Sequence, residues 1–301
     1  MKTPDLLLKK DPTQHPAVKQ DMWKSLLSRL APTVKSILLF FCVLFSMRFW
    51  LLLFHEGGHA LPDLIDGNVI KILYAHPFTF AGLALPVNDD WVITNAAGPV
   101  MAVLVPLLIF ILLWKHRSVA LLPLVMVFPC VAMETWANVI TIAQKNSDYY
   151  KIIRLTGLPE AVILIPCLVL FFIGVFFFLL LMPLLGLDPK DRRVLIVLPA
   201  AVILWIGVSI VVARLVVPGS PIDVIYHVGT LIIQGALGGI GSFYVLLVLL
   251  LDVIYLTLYR LIYPRIPSWL RSETVRLTWK DLRIPGLIAA ACVIVGLILI
   301  H

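Results

Sequence analysis

The sequence predicts an all-α polytopic membrane protein with about seven transmembrane helices and a short membrane-associated β-hairpin after the first. Of its 301 residues, 61% are hydrophobic and only 14% are charged. Soluble domains instead carry roughly 45–50% apolar and about 25% charged residues. The excess apolar residues lie in runs of about 20, the length that crosses a bilayer core of roughly 30 Å. The lipid bilayer is therefore an expected partner of the chain.

The apolar runs divide the chain into three parts. A polar, basic N-terminal segment at 1–35 precedes a core of three transmembrane helices at 36–157, and a C-terminal bundle of about four transmembrane helices follows at 158–301. The predicted spans are 36–60, 92–114, 118–143, 160–186, 194–217, 229–258 and 284–300. Within the loop at 61–91, alternating apolar residues at 68–74 and 79–85 predict the two strands of the hairpin.

The basic residues predict topology rather than nucleic-acid binding. The net charge is +7, and 18 of the 24 lysines and arginines lie in the N-terminal segment and every second loop after it. Cytoplasmic loops are enriched in these residues, so the N-terminus is expected inside and the loop at 61–91 outside. The four cysteines form no CxxC pair and lie within apolar runs, which indicates packing rather than disulfides or a thiolate metal site.

One motif carries chemistry. At the end of the first span the sequence reads His55-Glu56-Gly57-Gly58-His59, an H-E-x-x-H pattern. On a helix, residues four apart share a face, so His55 and His59 can bind one divalent ion, for which we expect Zn2+. Glu56 then lies beside the metal without ligating it, where it can act as a general base toward a metal-bound water.

A catalytic zinc site needs a third protein ligand, and the residues alone leave this choice open. On a straight third helix, with a rise of 1.5 Å per residue, the depth of Glu134 matches that of His55, whereas Asp148 lies about 20 Å beyond it. Asp148 becomes reachable if the helix stops near Ala143 and the chain folds back. If Glu134 is instead the counter-ion of Arg48, Asp148 is the expected third zinc ligand. His76, in the hairpin, is a further candidate.

The arrangement of these motifs over residues 36–157 resembles the site-2 protease family of intramembrane zinc metalloproteases (M50-like). That family has H-E-x-x-H in one core helix, a Gly-Pro helix next, and Asn-x-x-Pro leading to Asp-Gly in a third. The second element is matched by Asn95, Gly98 and Pro99, and the third more loosely by Asn138 followed by Asp148. Thr141 stands where proline is expected and Tyr149 where glycine is expected, so the chain looks like a divergent member of that family.

The resemblance implies that His55, His59 and Asp148 hold the zinc and that Glu56 is the catalytic base, with Asn95, Gly98, Pro99 and Asn138 supporting the substrate site. It also implies a site open to the cytosol, which conflicts with the charge count. The expected function is a zinc-dependent endopeptidase that cleaves a membrane-protein or peptide substrate in or beside a transmembrane segment. The expected location is the cell membrane of a prokaryote.

Two alternatives to the endopeptidase remain open. The first is a catalytically inactive relative that binds metal or client helices. The second is a transporter that uses Glu134, Arg48 and Asp252 as intramembrane charges. The oligomeric state is left open.

Overall fold

A computed structural model of the chain describes residues 15–67, 73–75, 82–84, 92–143, 148–188, 191–216, 257 and 260–298. The helices are α1 (His15–Ile65), α2 (Val92–Leu113), α3 (Leu122–Val125), α4 (Val127–Ala143), α5 (Asp148–Thr156), α6 (Ala161–Leu181), α7 (Val194–Val216) and α8 (Arg283–Ile298). Short 3₁₀ helices lie at Trp114–His116, Met182–Leu185, Tyr263–Arg265 and Lys280–Leu282. The two strands are β1 (Leu73–Ala75) and β2 (Gly82–Ala84).

The prediction of seven spans is not supported. Among the described residues, three helices are long and apolar enough to cross a membrane: Leu30–Ile65, Val92–His116 and Ala161–Leu185. Two shorter apolar helical stretches, Leu122–Thr135 and Val194–Trp205, accompany them. The predicted span at 229–258 lies outside the described residues. The last one corresponds to α8, whose 16 residues cover about 24 Å at 1.5 Å per residue.

The predicted third span corresponds to helical structure that is irregular at one residue. Pro129 has no N–H with which to bond the carbonyl of Val125, and Met126 separates α3 from α4. The helical path continues across Met126, because its N–H donates to the carbonyl of Leu122 and its carbonyl accepts from the N–H of Cys130. Helix α4 has 17 residues and ends at Ala143.

Of the hairpin predicted between the first two spans, the structure describes two short strands. Strands β1 and β2 are antiparallel, with Leu73 opposite Ala84 and Ala75 opposite Gly82. Each has three residues, and the other residues predicted as strand at 68–74 and at 79–85 lie outside the described part of the chain. His76 and the rest of the connection lie outside the described residues. The described chain is thus essentially all helical, and a membrane-associated hairpin is not supported beyond these three pairs.

Helix α1 lies at the centre of the bundle and contacts α2, α3, α4, α7 and α8. Its middle is predominantly apolar, as expected of a helix surrounded by others, and Leu39 and Val43 are fully buried. Around it, α4 packs against α6 at Gly174, where a Cβ atom would lie 2.7 Å from the carbonyl oxygen of Pro129. Such close backbone approach through a small residue is common between membrane helices.

The C-terminal segment closes one end of the bundle. Lys35, near the beginning of the apolar part of α1, donates a hydrogen bond to the carbonyl of Leu277 at 3.0 Å. Arg117, after α2, donates to the carbonyl of Trp269 at 3.1 Å and to Ser272 Oγ at 3.4 Å. Because Lys35 and His55 are separated by about 30 Å of helix at 1.5 Å per residue, this basic end is opposite the H-E-x-x-H motif.

Candidate metal centre

The two histidines of the motif share one face of α1, and Asp148 meets them from another element. His55 Nε2 lies 3.1 Å from His59 Nε2 and 3.1 Å from Asp148 Oδ2, and His59 Nε2 lies 3.3 Å from the same oxygen. The first histidine and the aspartate are 93 positions apart in the chain. Among the described residues, these three are the group whose donor atoms could hold a metal ion.

The triangle has the dimensions of a zinc site. Zinc–ligand bonds of about 2.0–2.1 Å at tetrahedral angles place neighbouring ligand atoms about 3.3–3.4 Å apart. The three observed separations, 3.1, 3.1 and 3.3 Å, are close to that value. Two imidazole nitrogens and one carboxylate oxygen are also a donor set that zinc accepts, and three protein ligands leave a fourth position for water. The residues present therefore fit zinc.

A hydrogen bond at the Nδ1 atom of His59 determines the state of Nε2, the ring nitrogen that faces His55 and Asp148. His59 Nδ1 lies 2.8 Å from the backbone carbonyl oxygen of Thr94 on α2. Because a carbonyl oxygen can only accept, Nδ1 must carry the proton and donate. In the neutral ring Nε2 then carries the lone pair. Metal-ligating histidines are commonly oriented by a hydrogen bond of this kind.

The close approach of α1 and α2 depends on two glycines. A Cβ atom on Gly98 would lie 2.3 Å from His59 Nε2 and 2.5 Å from its Cε1. A Cβ atom on Gly58 would lie 2.5 Å from the carbonyl oxygen of Ala97. Both distances are far below van der Waals contact, so only glycine fits at either position. Gly98, which the sequence associated with the substrate site, is in contact with the metal-ligand ring itself.

Asp148 is the first residue of α5, where the helix dipole favours a negative charge. Burial alone would raise the pKa of its carboxyl group, but the hydrogen bonds and charges of His55 and His59 outweigh burial and lower that pKa. The group is therefore held as a carboxylate, the form that binds a metal. The next residue, Tyr149, hydrogen-bonds with Cys167 of α6, so the residue in place of the expected glycine attaches α5 to the bundle.

Glu56 is buried, with 7% of its surface exposed, and interacts electrostatically with His59. Glu56 does not belong to the group of three donor atoms. Its role as a general base stays a prediction of the motif.

Glu134 is engaged elsewhere. Arg48 Nη1 donates a hydrogen bond to Glu134 Oε1 at 3.0 Å, forming an ion pair between α1 and α4. The structure thus brings Asp148, and not Glu134, to the histidines. Asn95 and Pro99 are buried on α2, while the side chain of Asn138 lies outside the described part of the chain.

Two residues near the site were not singled out from the sequence. Thr94 contributes through its backbone carbonyl, which carries no signal in the side-chain pattern. Asp63 is fully buried on α1, four residues after His59, and its spacing continues that of the two histidines. An acid at this spacing could have been noticed from the sequence.

Residues 30–143 match the family model described as Peptidase M50B-like. This confirms over that segment the resemblance inferred from the motifs. The match includes the H-E-x-x-H and Gly-Pro elements and ends five residues before Asp148. No curated protein and no solved structure matches the chain.

Proposed function

From the M50-like character of residues 30–143, which indicates a membrane metallopeptidase, we propose that this protein is a zinc-dependent intramembrane endopeptidase. The observation that supports this most directly is the convergence of His55 Nε2, His59 Nε2 and Asp148 Oδ2 within 4.8 Å of one another. The two histidines lie near the C-terminal end of a helix that is long enough to span the bilayer, and Asp148 reaches them from α5.

Each residue of the site has a distinct task in this proposal. His55, His59 and Asp148 would hold the metal, which when bound supplies a Lewis acid and lowers the pKa of a water molecule. Glu56 accepts the proton of that water and delivers it to the leaving amine, so that the peptide bond is hydrolysed with no net consumption of protons by the enzyme. Thr94 and Gly98 hold the His59 ring in the ligating orientation.

The substrate class follows from the position of the site. The motif lies within the candidate span Leu30–Ile65, so a peptide bond that reaches it comes from a segment in or next to the membrane. Ionisable residues inside a spanning helix are costly and mark functional sites. We therefore propose a membrane-protein or membrane-bound peptide as substrate, with the protein as a multi-pass component of the membrane.

The proposal is tested by metal analysis together with proteolysis. Purified in detergent, the wild-type protein should contain about one zinc per chain and should cleave a fluorescently labelled transmembrane peptide. Chelation should abolish cleavage and added zinc should restore it. Glu56→Gln should keep the zinc and lose cleavage, because the amide retains the shape of the side chain but cannot take a proton.

The alternative of an inactive relative has a distinct outcome. Zinc at full occupancy, with no difference in cleavage between the wild type and Glu56→Gln, would refute the peptidase and leave a metal-binding protein. The transporter alternative has less support, because Arg48 and Glu134 are paired with each other.

A further inference from the structure

The Arg48–Glu134 ion pair lies next to the metal centre along the same helix face, and it takes no part in the proposed chemistry. We propose that this pair positions the third metal ligand by setting the register between α1 and the α4–α5 segment. The inference rests on the proposed function, since it concerns the same metal centre.

The first observation is that the pair and the metal ligands use one face of α1. Arg48 precedes His55 by seven residues, which is two helical turns, so the two side chains point to the same side about 10.5 Å apart. Arg48 pairs with α4 on that face, and His55 meets Asp148 there. Helix α1 thus makes one polar contact with α4 and, two turns further on, another with the first residue of α5.

The second observation is that the pair joins α4 directly to α1, whereas another polar contact of α4 faces a different helix. On the side of α6, Thr135 Oγ1 donates a hydrogen bond to the carbonyl of Cys167. Apolar contacts are not directional, whereas a hydrogen-bonded ion pair between two helices is satisfied in one register only. Fixing register is the best-attested role of such buried polar groups. The Arg48 side chain is 9% exposed and that of Glu134 is 38% exposed, so the guanidinium is the more deeply buried partner of the pair.

The metal site requires this accuracy. Slippage of α4 by one residue along α1 would shift α4 by about 1.5 Å, and α4 is in direct contact with α5, which begins at Asp148. Metal–ligand distances must hold to within about 0.2 Å. A register that is free to slip would therefore remove Asp148 from the coordination sphere while leaving His55 and His59, which belong to one helix, in place.

The experiment compares zinc affinity and Co2+ spectra of the purified full-length protein with those of its variants. Arg48→Gln and Glu134→Gln should each weaken zinc binding about 10- to 100-fold, the range seen when residues that orient metal ligands are removed. Their Co2+ complexes should lose the strong visible absorption of tetrahedral coordination. The double variant Arg48→Glu with Glu134→Arg should recover both. Asp191→Asn, which removes an ion pair with Arg193 near the basic end, serves as the control and should bind zinc like the wild type.

Lower thermal stability of Arg48→Gln and Glu134→Gln with unchanged zinc affinity and Co2+ spectra would overturn the inference. If neither variant folds, Glu134→Asp replaces them. It keeps the charge but shortens the side chain, so zinc affinity should fall at least fivefold, and an unchanged affinity would overturn the inference. A wild-type protein that binds no zinc would refute the proposed function and this inference with it. Zinc in the wild type together with unaffected variants would refute the inference alone.

Discussion

Replacement of Gly98 by alanine tests the link between helix packing and metal binding. The new Cβ atom would lie 2.3 Å from His59 Nε2, and ordinary contact begins near 3.4 Å. Either the imidazole or α2 must therefore move by about 1 Å. Movement of the ring also threatens the 2.8 Å hydrogen bond from His59 Nδ1 to Thr94.

The expected loss of zinc affinity follows from how little a metal–ligand distance can change. A displacement of about 1 Å is several times the roughly 0.2 Å within which metal–ligand distances hold. The loss of zinc affinity should therefore reach at least the upper part of the 10- to 100-fold range that is found when a residue orienting a metal ligand is removed. We expect Gly98→Ala to bind zinc about 100-fold more weakly than the wild type and to lose cleavage in proportion.

The assay is a competition between the protein and a chromophoric chelator, with thermal unfolding of the metal-free protein measured in parallel. Gly57 offers a matched control, because a Cβ atom there meets nothing within 4 Å. Gly57→Ala should keep its zinc affinity and gain up to about 1 kcal/mol from helix propensity. Zinc affinities within threefold of the wild type for both variants would refute the proposed contact between Gly98 and the ligand ring.

Further predictions concern the ligands, the packing and the topology. His55→Ala should lose both zinc and cleavage, since one of three ligands is removed; full zinc occupancy would contradict the assignment. Asp148→Asn should weaken zinc binding at least tenfold, because the amide carries no charge. A zinc titration that gives the wild-type affinity would contradict this ligand assignment. Thr135→Val should lower stability by about 1 kcal/mol in a detergent unfolding assay, with zinc affinity unchanged, because Thr135 Oγ1 lies 2.9 Å from the carbonyl of Cys167. Asn88→Cys in a cysteine-free background should react with an impermeant thiol reagent on intact cells, as the charge count predicts. Labelling only after permeabilisation would show that the loop at 61–91 lies inside.

The sequence by itself determined what depends on local pattern. Apolar runs of spanning length identify a membrane protein, and the four-residue spacing of His55 and His59 places two ligands on one helix face in any fold that keeps the helix. Both follow from the 3.6-residue period, which needs no knowledge of the neighbours. The same local reasoning predicted seven spans, of which the described residues support three, because a hydropathy count does not show where each helix begins and ends.

The residue pattern left Asp148 and Glu134 open and the resemblance implied Asp148, but only the tertiary structure shows Asp148 beside the histidines. On a straight helix the depth of Glu134 matched the histidines, yet α4 ends at Ala143 and a separate helix, α5, begins at Asp148. Glu134 is meanwhile paired with Arg48. A contact across 93 positions depends on where each helix ends and how the helices pack, and residue spacing does not encode either. For the same reason the structure alone shows that Gly98 leaves room for the His59 ring.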